Sequence, residues 1–195
     1  MSTRRELLSL FALTALAAVV RFAFLGHQSF WFDEAVTVEL VRKSLLGMLK
    51  ALPNTESTPP LYYVLAWGWA KVFGTGEVGL RSLSALLGTA TVPVVFFIGR
   101  LYGSSRAGLL GAALVACSPL LVWYSQEARA YALLGLLSAL SVLAFEGARR
   151  RPSGSRLASW ASPTTVLEKS SGVNSRSSSN TLAPALARAR ALKVW

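Results

Sequence analysis

The 195-residue sequence has one cysteine, one histidine and nine acidic residues, and only 15% of its residues are charged. The lone Cys117 excludes an intramolecular disulfide framework and any metal site built from several cysteines. Soluble domains are about 25% charged and about 45–50% apolar. Because this chain is 53% hydrophobic with a mean hydropathy of +0.47, a soluble single domain is the weaker interpretation.

The net charge of +11 belongs mainly to the C-terminal quarter of the chain. Residues 149–195 carry nine basic residues and one acidic residue, whereas residues 1–148 carry eleven and eight. Nucleic-acid binding needs a basic surface with interleaved aromatic residues, and the sequence has no such stretch. We therefore expect membrane lipid, and no nucleic acid, as a partner.

Long uncharged runs are the main feature of the first three quarters of the chain. A bilayer core of about 30 Å needs roughly 20 apolar residues in a helix. Small residues within such runs let helices pack closely in lipid. The sequence predicts an all-α, polytopic transmembrane helix bundle, with apolar runs at residues 7–25, 82–99, 107–126 and 130–145 and a shorter run at 57–70.

The first run follows Arg4 and Arg5 and has two interpretations. One is a secretory signal peptide. The other is an uncleaved first transmembrane helix, which we favour because the run continues past Arg21 without a clear small-residue cleavage site. Arg21 would then lie near the far end of the helix, where its long side chain can reach the interface.

Three basic clusters predict the orientation of the helices, because Lys and Arg accumulate on the cytoplasmic side. They are Arg4/Arg5, Arg100/Arg106 and Arg149–Arg151. With all three inside, residues 26–58 and the turn at 125–129 share the outer face. Residues 57–70 then form a re-entrant or interfacial helix. A genuine crossing there would reverse every later segment and is the alternative.

The first outer loop contains two adjacent carboxylates, Asp33 and Glu34, directly after three aromatic residues. Apolar residues recur from there at helical spacing, which predicts an interfacial amphipathic helix lying on the membrane. Asp33 at its start has a structural interpretation as the N-cap. The apolar stripe consists of Val38, Val41, Leu45, Leu49 and Leu52.

Five short motifs stand in order between the predicted helices: FWFDEA, TPPLYY, RSLSALLG, GRLYG and SPLLVWYSQEARAYALL. Together they resemble the N-terminal part of the GT-C class of integral membrane glycosyltransferases, over roughly residues 5–148. The likeness is greatest to bacterial relatives of protein O-mannosyltransferases and lipid A aminoarabinose transferases. The resemblance implies transfer of a sugar from a polyprenyl-phosphate donor, usually with inversion, to an acceptor on the non-cytoplasmic face of the cell inner (plasma) membrane.

The resemblance also implies roles for particular residues. Asp33 corresponds to the general base, with Glu34 beside it. Glu127 corresponds to a second outer acid that orients substrate or, in some branches, binds a metal; no cofactor is certain, and a divalent metal is left open. The substrate-binding candidates are Arg129 and Arg81, for the donor phosphate, and Tyr62. This chain has Thr58 where many relatives have Lys or His before Pro-Pro-Leu, so a phosphate-contacting cation is missing there.

The chain changes character after residue 148. Residues 152–195 contain ten serines and no run long enough to span a membrane, which predicts disorder, with a short basic helix on lipid at 182–195 as an alternative. Complete GT-C enzymes have more spanning helices. The hypothesis is therefore a truncated copy whose tail at 149–195 is read out of frame. The alternative function is a small non-enzymatic membrane protein or inactive fragment; the sequence does not indicate an oligomeric state.

Overall fold

The computed structural model describes residues 3–56 and 58–150, and every regular element within them is an α-helix. The predicted all-α class is thereby confirmed. The predictions made for residues 151–195 lie outside the described residues. The helices are α1 (Thr3–Phe22), α2 (Phe32–Arg42), α3 (Leu45–Thr55), α4 (Leu61–Phe73), α5 (Glu77–Tyr102), α6 (Ser105–Cys117), α7 (Pro119–Ser125) and α8 (Tyr131–Arg149).

Helix α5 is the centre of the fold, and α1, α4, α6, α7 and α8 all pack against it. Its 26 residues give a length of about 39 Å. In the described part of the chain, α5 and α8 are each long and apolar enough to cross a membrane, and α6 with α7 would make a third span that is bent by 59°. The crossing of the membrane by α1 stays a prediction.

The apolar run at 107–126 was predicted as one helix, and this was wrong: it is divided at Ser118. The physical reason is Pro119, which has no N–H to donate to the carbonyl of Val115 four residues earlier. The new helix α7 starts with the hydroxyl of Ser118 accepting from the amide of Leu121 at 3.5 Å. The break therefore leaves carbonyl groups of α6 without their helical donors.

Arg21 supplies donors to these carbonyls. Its guanidinium donates to Val115 O at 2.8 Å and to Ala116 O at 3.1 Å, and its Nε donates to Ser125 Oγ at 3.2 Å. Arg21 is fully buried, so the expectation that its side chain reaches the interface was wrong. Carbonyls at a helix C-terminus carry partial negative charge, which gives the cation partners inside the bundle.

The carbonyls at the end of α1 are bonded by Gln126, which directly follows α7. The side-chain amide of Gln126 donates to the carbonyls of Val20, Arg21 and Ala23 at 3.1, 3.4 and 3.0 Å. The last carbonyls of a helix have no partner within the helix. Arg21 of α1 therefore bonds the carbonyls at the end of α6, and Gln126 after α7 bonds those at the end of α1. These contacts hold the 126–129 turn at the end of α1.

The first outer loop forms two helices, where one was predicted. Helix α2 ends at Arg42, and Ser44 Oγ begins α3 by accepting from the amide of Gly47 at 3.2 Å. In the predicted apolar stripe, Val38, Val41 and Leu52 are buried in the protein core, whereas Leu49 is exposed. Helix α4, over the segment predicted not to cross, has 13 residues and a length of about 20 Å, shorter than a bilayer core.

Two contacts between α5 and the chain around α8 show which residues lie at each end of the bundle. At one end, Ser84 Oγ donates to the carbonyl of Arg129 at 3.3 Å. At the other end, Arg150 donates to the carbonyl of Leu101. The outer-loop candidates therefore gather at one end, while Arg100 and Arg150 lie at the opposite end.

Close packing of α5 against α6 depends on Gly108, where a Cβ atom would lie 2.5 Å from the carbonyl oxygen of Phe96. Backbone cannot move aside as a flexible side chain can, so we expect Gly108→Ala to destabilise the fold by about 1–3 kcal/mol. Gly135→Ala is the matched control, because a Cβ at Gly135 meets nothing within 4 Å. Thermal unfolding in detergent should show a lower Tm for Gly108→Ala only; equal Tm values would contradict this packing.

Candidate functional site

A buried ion pair between Glu34 and Arg81 lies at the centre of the outer-loop end. The guanidinium contacts the carboxylate through two atoms, with Nε–Oε1 at 2.9 Å and Nη2–Oε2 at 2.5 Å. The side chains are only 2% and 5% exposed. A charge removed from water is stable only when its partners are well placed, and the two-atom contact of a guanidinium with a carboxylate provides that geometry.

The remaining hydrogen-bond capacity of the pair joins it to the surrounding loops. Arg81 also donates to the carbonyls of Leu25, Gln28 and Ser29, at 2.8, 2.7 and 3.2 Å. Glu34 accepts from the amides of Trp31 and Ala128, at 3.1 and 2.7 Å. All five N–H groups of Arg81 therefore have protein acceptors, and the pair connects α2, α5, the segment after α1 and the turn before α8.

The environment of Glu34 keeps its carboxylate ionised. Burial alone would raise its pKa, but hydrogen bonds from Arg81 and from the amides of Ala128 and Trp31 outweigh burial and hold the pKa below its ordinary value. Glu34 is also the third residue of α2 and bonds back to the N-cap amide of Trp31. The capping role considered for Asp33 therefore belongs to its neighbour, and that interpretation of Asp33 was wrong.

The side chain of Asp33 faces away from the ion pair and is 65% exposed. Successive helical residues lie about 100° apart around the axis, so adjacent side chains do not share a face. Its Oδ2 lies 4.0 Å from Nη2 of Arg129, whose Nη1 donates to Glu56 Oε1 at 2.5 Å. Arg129 is therefore placed between two carboxylates, and its hydrogen bond to Glu56 raises the pKa of the guanidinium against the opposing effect of burial.

An apolar groove of about 200 Å³ runs between α4 and α8, and Arg129 forms part of its wall. Tyr62 is buried against the same groove, with its hydroxyl 3.1 Å from Ser84 Oγ. Several of the aliphatic side chains are open to the surroundings, so the groove suits a hydrocarbon chain with a charged group near Arg129. The other lining residues include Thr58, Leu61, Tyr131, Leu133, Leu134 and Leu137.

Glu127 lies on a second cavity, of about 150 Å³, which we call the aromatic pocket. Trp123 Nε1 donates to Glu127 Oε1 at 2.7 Å, and the Trp123 ring meets Trp31 edge to face, 5.9 Å between centroids. Burial raises the pKa of Glu127, although the bond from Trp123 opposes this. The pocket is lined by Phe24, Leu25, His27, Gln28, Trp31, Arg81, Trp123, Gln126 and Glu127.

The structure thus brings Asp33 and Glu127 to the same end of the bundle. Glu34 and Ala128, the residues that follow them, are joined directly by a hydrogen bond. Glu56 and Gln126 were not predicted as site residues; Gln126 belongs to the last of the five motifs, whereas Glu56 lies two residues before TPPLYY and had no such indication. Residues 3–56 and 58–150 bring no three His, Cys, Asp or Glu side chains together as a metal ion would need.

Comparison with known proteins identifies the family. A family model described as dolichyl-phosphate-mannose-protein mannosyltransferase matches residues 57–186, about two thirds of the chain. The matched range includes Tyr62, Arg81, Glu127 and Arg129, and it starts after Asp33 and Glu34. None of the curated proteins and none of the solved structures matches the chain. The chain belongs to this family of GT-C-type membrane glycosyltransferases.

Removal of the charge on Glu34 should destabilise the fold, because it leaves Arg81 buried without a counter-charge. We expect Glu34→Gln to cost about 3–5 kcal/mol, a drop in Tm of roughly 10 °C for a chain of this size. Glu39→Gln on the same helix is the control. Within residues 3–56 and 58–150, Glu39 pairs only with Lys43, and it is 74% exposed, so its loss should cost less than about 1 kcal/mol. Similar Tm values for the two variants would contradict a structural role for the pair.

The pH dependence of stability provides a second test of Glu34. Because its folded-state pKa is lowered, its contribution is present above the ordinary glutamate pKa of about 4.3. That contribution is lost as the pH falls through the folded-state value. The Tm difference between wild type and Glu34→Gln should therefore be constant at neutral pH and shrink in acid. A Tm difference that grows in acid would contradict the lowered pKa of Glu34.

Proposed function

We propose that this member of the mannosyltransferase family transfers a sugar from a polyprenyl-phosphate carrier to a hydroxyl acceptor. The observation that carries the proposal is the exposed carboxylate of Asp33, 4.0 Å from an arginine that lines an apolar groove. A lipid-linked sugar phosphate needs three things: an apolar surface for the chain, a cation for the phosphate and a base for the acceptor. The α4–α8 groove, Arg129 and Asp33 supply them in one place.

The donor would lie with its first isoprene units in the groove and its phosphate at Arg129. Leu133, Leu134 and Leu137 of α8 offer the hydrocarbon contacts. Thr58 lines the same groove as Arg129, so Arg129 can replace the cation that many relatives have before Pro-Pro-Leu. A guanidinium suits this role because its planar N–H groups match phosphate oxygens.

Asp33 would act as the general base. Its carboxylate accepts the proton of the acceptor hydroxyl as that oxygen attacks the anomeric carbon of the donor sugar. The bond from the anomeric carbon to the phosphate oxygen breaks, and the electron pair leaves with the polyprenyl phosphate. Arg129 stabilises the negative charge that develops on this leaving group. One displacement of this kind inverts the anomeric configuration.

Glu34 and Arg81 support these groups rather than touching substrate. All N–H donors of Arg81 are used by protein acceptors, so its positive charge is committed to the ion pair. The pair holds the start of α2, which carries Asp33, against Ala128, which adjoins Glu127 and Arg129. We assign them positioning roles, because a catalytic group must be held within a fraction of an ångström.

The site would face the non-cytoplasmic side of the cell inner membrane. Arg100, Arg106, Arg149 and Arg150 belong to the opposite end of α5, α6 and α8, and basic residues accumulate at the cytoplasmic surface. In this orientation α5 and α8 run inward and α6 with α7 runs outward. The chain would thus be a multi-pass membrane protein.

Asp33→Asn tests the general base. The assay uses membranes containing the chain, a synthetic polyprenyl-phosphate mannose and a peptide rich in serine and threonine, and mass spectrometry measures glycosylated peptide and released polyprenyl phosphate. We expect the rate to fall by about 10²–10⁴-fold with an unchanged Tm, because Asp33 is exposed. Glu39→Gln, an exposed acid on the same helix, should retain the wild-type rate. No transfer by wild type, or equal rates for Asp33→Asn, would overturn the proposal.

Arg129→Gln tests the donor phosphate site. A hydrogen bond to a charged group is worth about 1.5–3 kcal/mol, so binding of polyprenyl phosphate should weaken roughly 10–150-fold. The control is Arg42→Gln, a change at an exposed arginine of α2. Native mass spectrometry of the protein in detergent measures retained lipid phosphate without any acceptor. Equal retention by the two variants would show that Arg129 does not bind the phosphate.

A further inference from the structure

The aromatic pocket lies beside the proposed donor site but is not used by it. Arg129 lines the apolar groove and Glu127 lines the aromatic pocket, and only Ala128 separates them in the chain. With a volume of about 150 Å³, the pocket is smaller than the roughly 300 Å³ at which sites for drug-sized ligands begin. It therefore suits a ligand with a single ring.

Two tryptophans give the pocket flat apolar surfaces. Trp31 and Trp123 are about half exposed, and their rings meet at an interplanar angle of 80°, so each leaves part of a face available. Aromatic residues also collect at membrane interfaces without binding any ligand. Trp123 differs from such a residue because its N–H donates to Glu127, so ring and carboxylate are held in a fixed mutual orientation.

The polar groups of the pocket include both acceptors and donors. Glu127 Oε1 receives the Trp123 N–H, while Oε2 has no protein donor among residues 3–56 and 58–150. The N–H groups of Gln126 are taken by the carbonyls at the end of α1, so its remaining capacity is its side-chain oxygen. His27 and Gln28 complete the polar part of the wall, and each side chain can donate as well as accept a hydrogen bond.

The charged groups of the pocket favour a neutral ligand over an anion. The guanidinium of Arg81 adjoins the pocket, but its five N–H groups are already bonded to protein. A carboxylate with a free oxygen would repel a phosphate and attract hydroxyl donors. The ligand chemistry that combines hydroxyl donors with an apolar ring face is that of a pyranose sugar, whose C–H groups can pack on the negative face of an indole.

We propose that the aromatic pocket binds one pyranose ring, stacked on Trp123 or Trp31, with a ring hydroxyl donating to Glu127. The proposal rests on the proposed function, because it supplies the sugar subsite of the same transferase. The ring could belong to the donor or to a glycosylated acceptor. These two sources share the same recognition chemistry, and the experiment separates them.

The experiment measures binding of soluble sugars to the full chain in detergent by saturation-transfer NMR and by quenching of tryptophan fluorescence. Methyl α-D-mannopyranoside represents an acceptor-like ring, mannose 1-phosphate a donor-like ring, and cyclohexanol a ring of similar size with a single hydroxyl. We expect saturation of ring C–H protons for the sugars and not for cyclohexanol. Preference for the methyl glycoside assigns the ring to the acceptor, and preference for the sugar phosphate assigns it to the donor.

Variants on two different elements test the pocket itself. Trp123→Leu and Trp31→Leu should each weaken sugar binding at least about tenfold, a cost of about 1.4 kcal/mol, and Glu127→Gln should weaken it as well. Tyr102→Leu, an exposed aromatic on α5 far along the chain from the pocket, is the control and should bind like wild type. Circular dichroism checks that each variant keeps its helices, and a variant that loses them is replaced by Trp123→Phe, which keeps a smaller ring.

The outcomes distinguish this proposal from the proposed function. Sugar binding that depends on Trp31 and Trp123, without transfer to any acceptor, would support the pocket and overturn the transferase. Transfer that is lost in Asp33→Asn but unchanged in the tryptophan variants would support the transferase and overturn the pocket. Equal sugar binding by wild type and both tryptophan variants, or equal saturation of cyclohexanol, would also overturn the pocket and leave the tryptophans as interfacial residues.

Discussion

The architecture of the outer-loop end depends on the buried contact between Glu34 and Arg81. Arg81 lies in the second turn of the central helix α5, and Glu34 lies in the first turn of α2. Without this pair, no other charged contact in the described residues would join those two helices. The same two side chains also bond five backbone groups, so α2, the segment after α1 and the turn before α8 are all held by one ion pair.

A second constraint is the satisfaction of backbone carbonyls at helix ends, which is severe where water is scarce. Pro119 breaks the run between α6 and α7 and removes one donor, and Arg21 replaces it. Gln126 then satisfies the end of α1. The ends of α6 and α1 are thus each bonded by a side chain of another element. These contacts stabilise the bundle at the end where the candidate site forms. Buried polar groups of this kind are costly when unpaired, which restricts the turn to few alternative positions.

The sequence predicted the helical class, most of the apolar runs and the helical spacing of the apolar residues in α2 and α3, because these follow from local periodicity and length. It did not predict the burial of Arg21 or the partner of Arg81. An arginine near the end of an apolar run can reach the interface or turn inward, and the choice depends on carbonyls almost a hundred residues away. Likewise, a pair of adjacent acids indicates that one will face inward, but only the packing of α2 on α5 determines that it is Glu34. Glu56 was missed because nothing near it in the chain indicates its contact with Arg129.

The two adjacent carboxylates differ in burial, so one motif carries both a rigid support, Glu34, and an exposed acid, Asp33, which is the proposed base. Glu34 is buried and fully bonded, so its charge is held and is unavailable to substrate, while Asp33 is carried on the same turn and left open. The same alternation occurs in the facing turn: Ala128 is buried and bonded to Glu34, and the residues on either side, Glu127 and Arg129, line different cavities. The hydrogen bond between Glu34 and Ala128, together with the contacts of Arg129 with Asp33, therefore links the positions of the proposed base, the cation and the second acid. A change in that bond would shift all three side chains together, whereas a change at Glu127, which bonds to Trp123, would leave the contact between Asp33 and Arg129 in place.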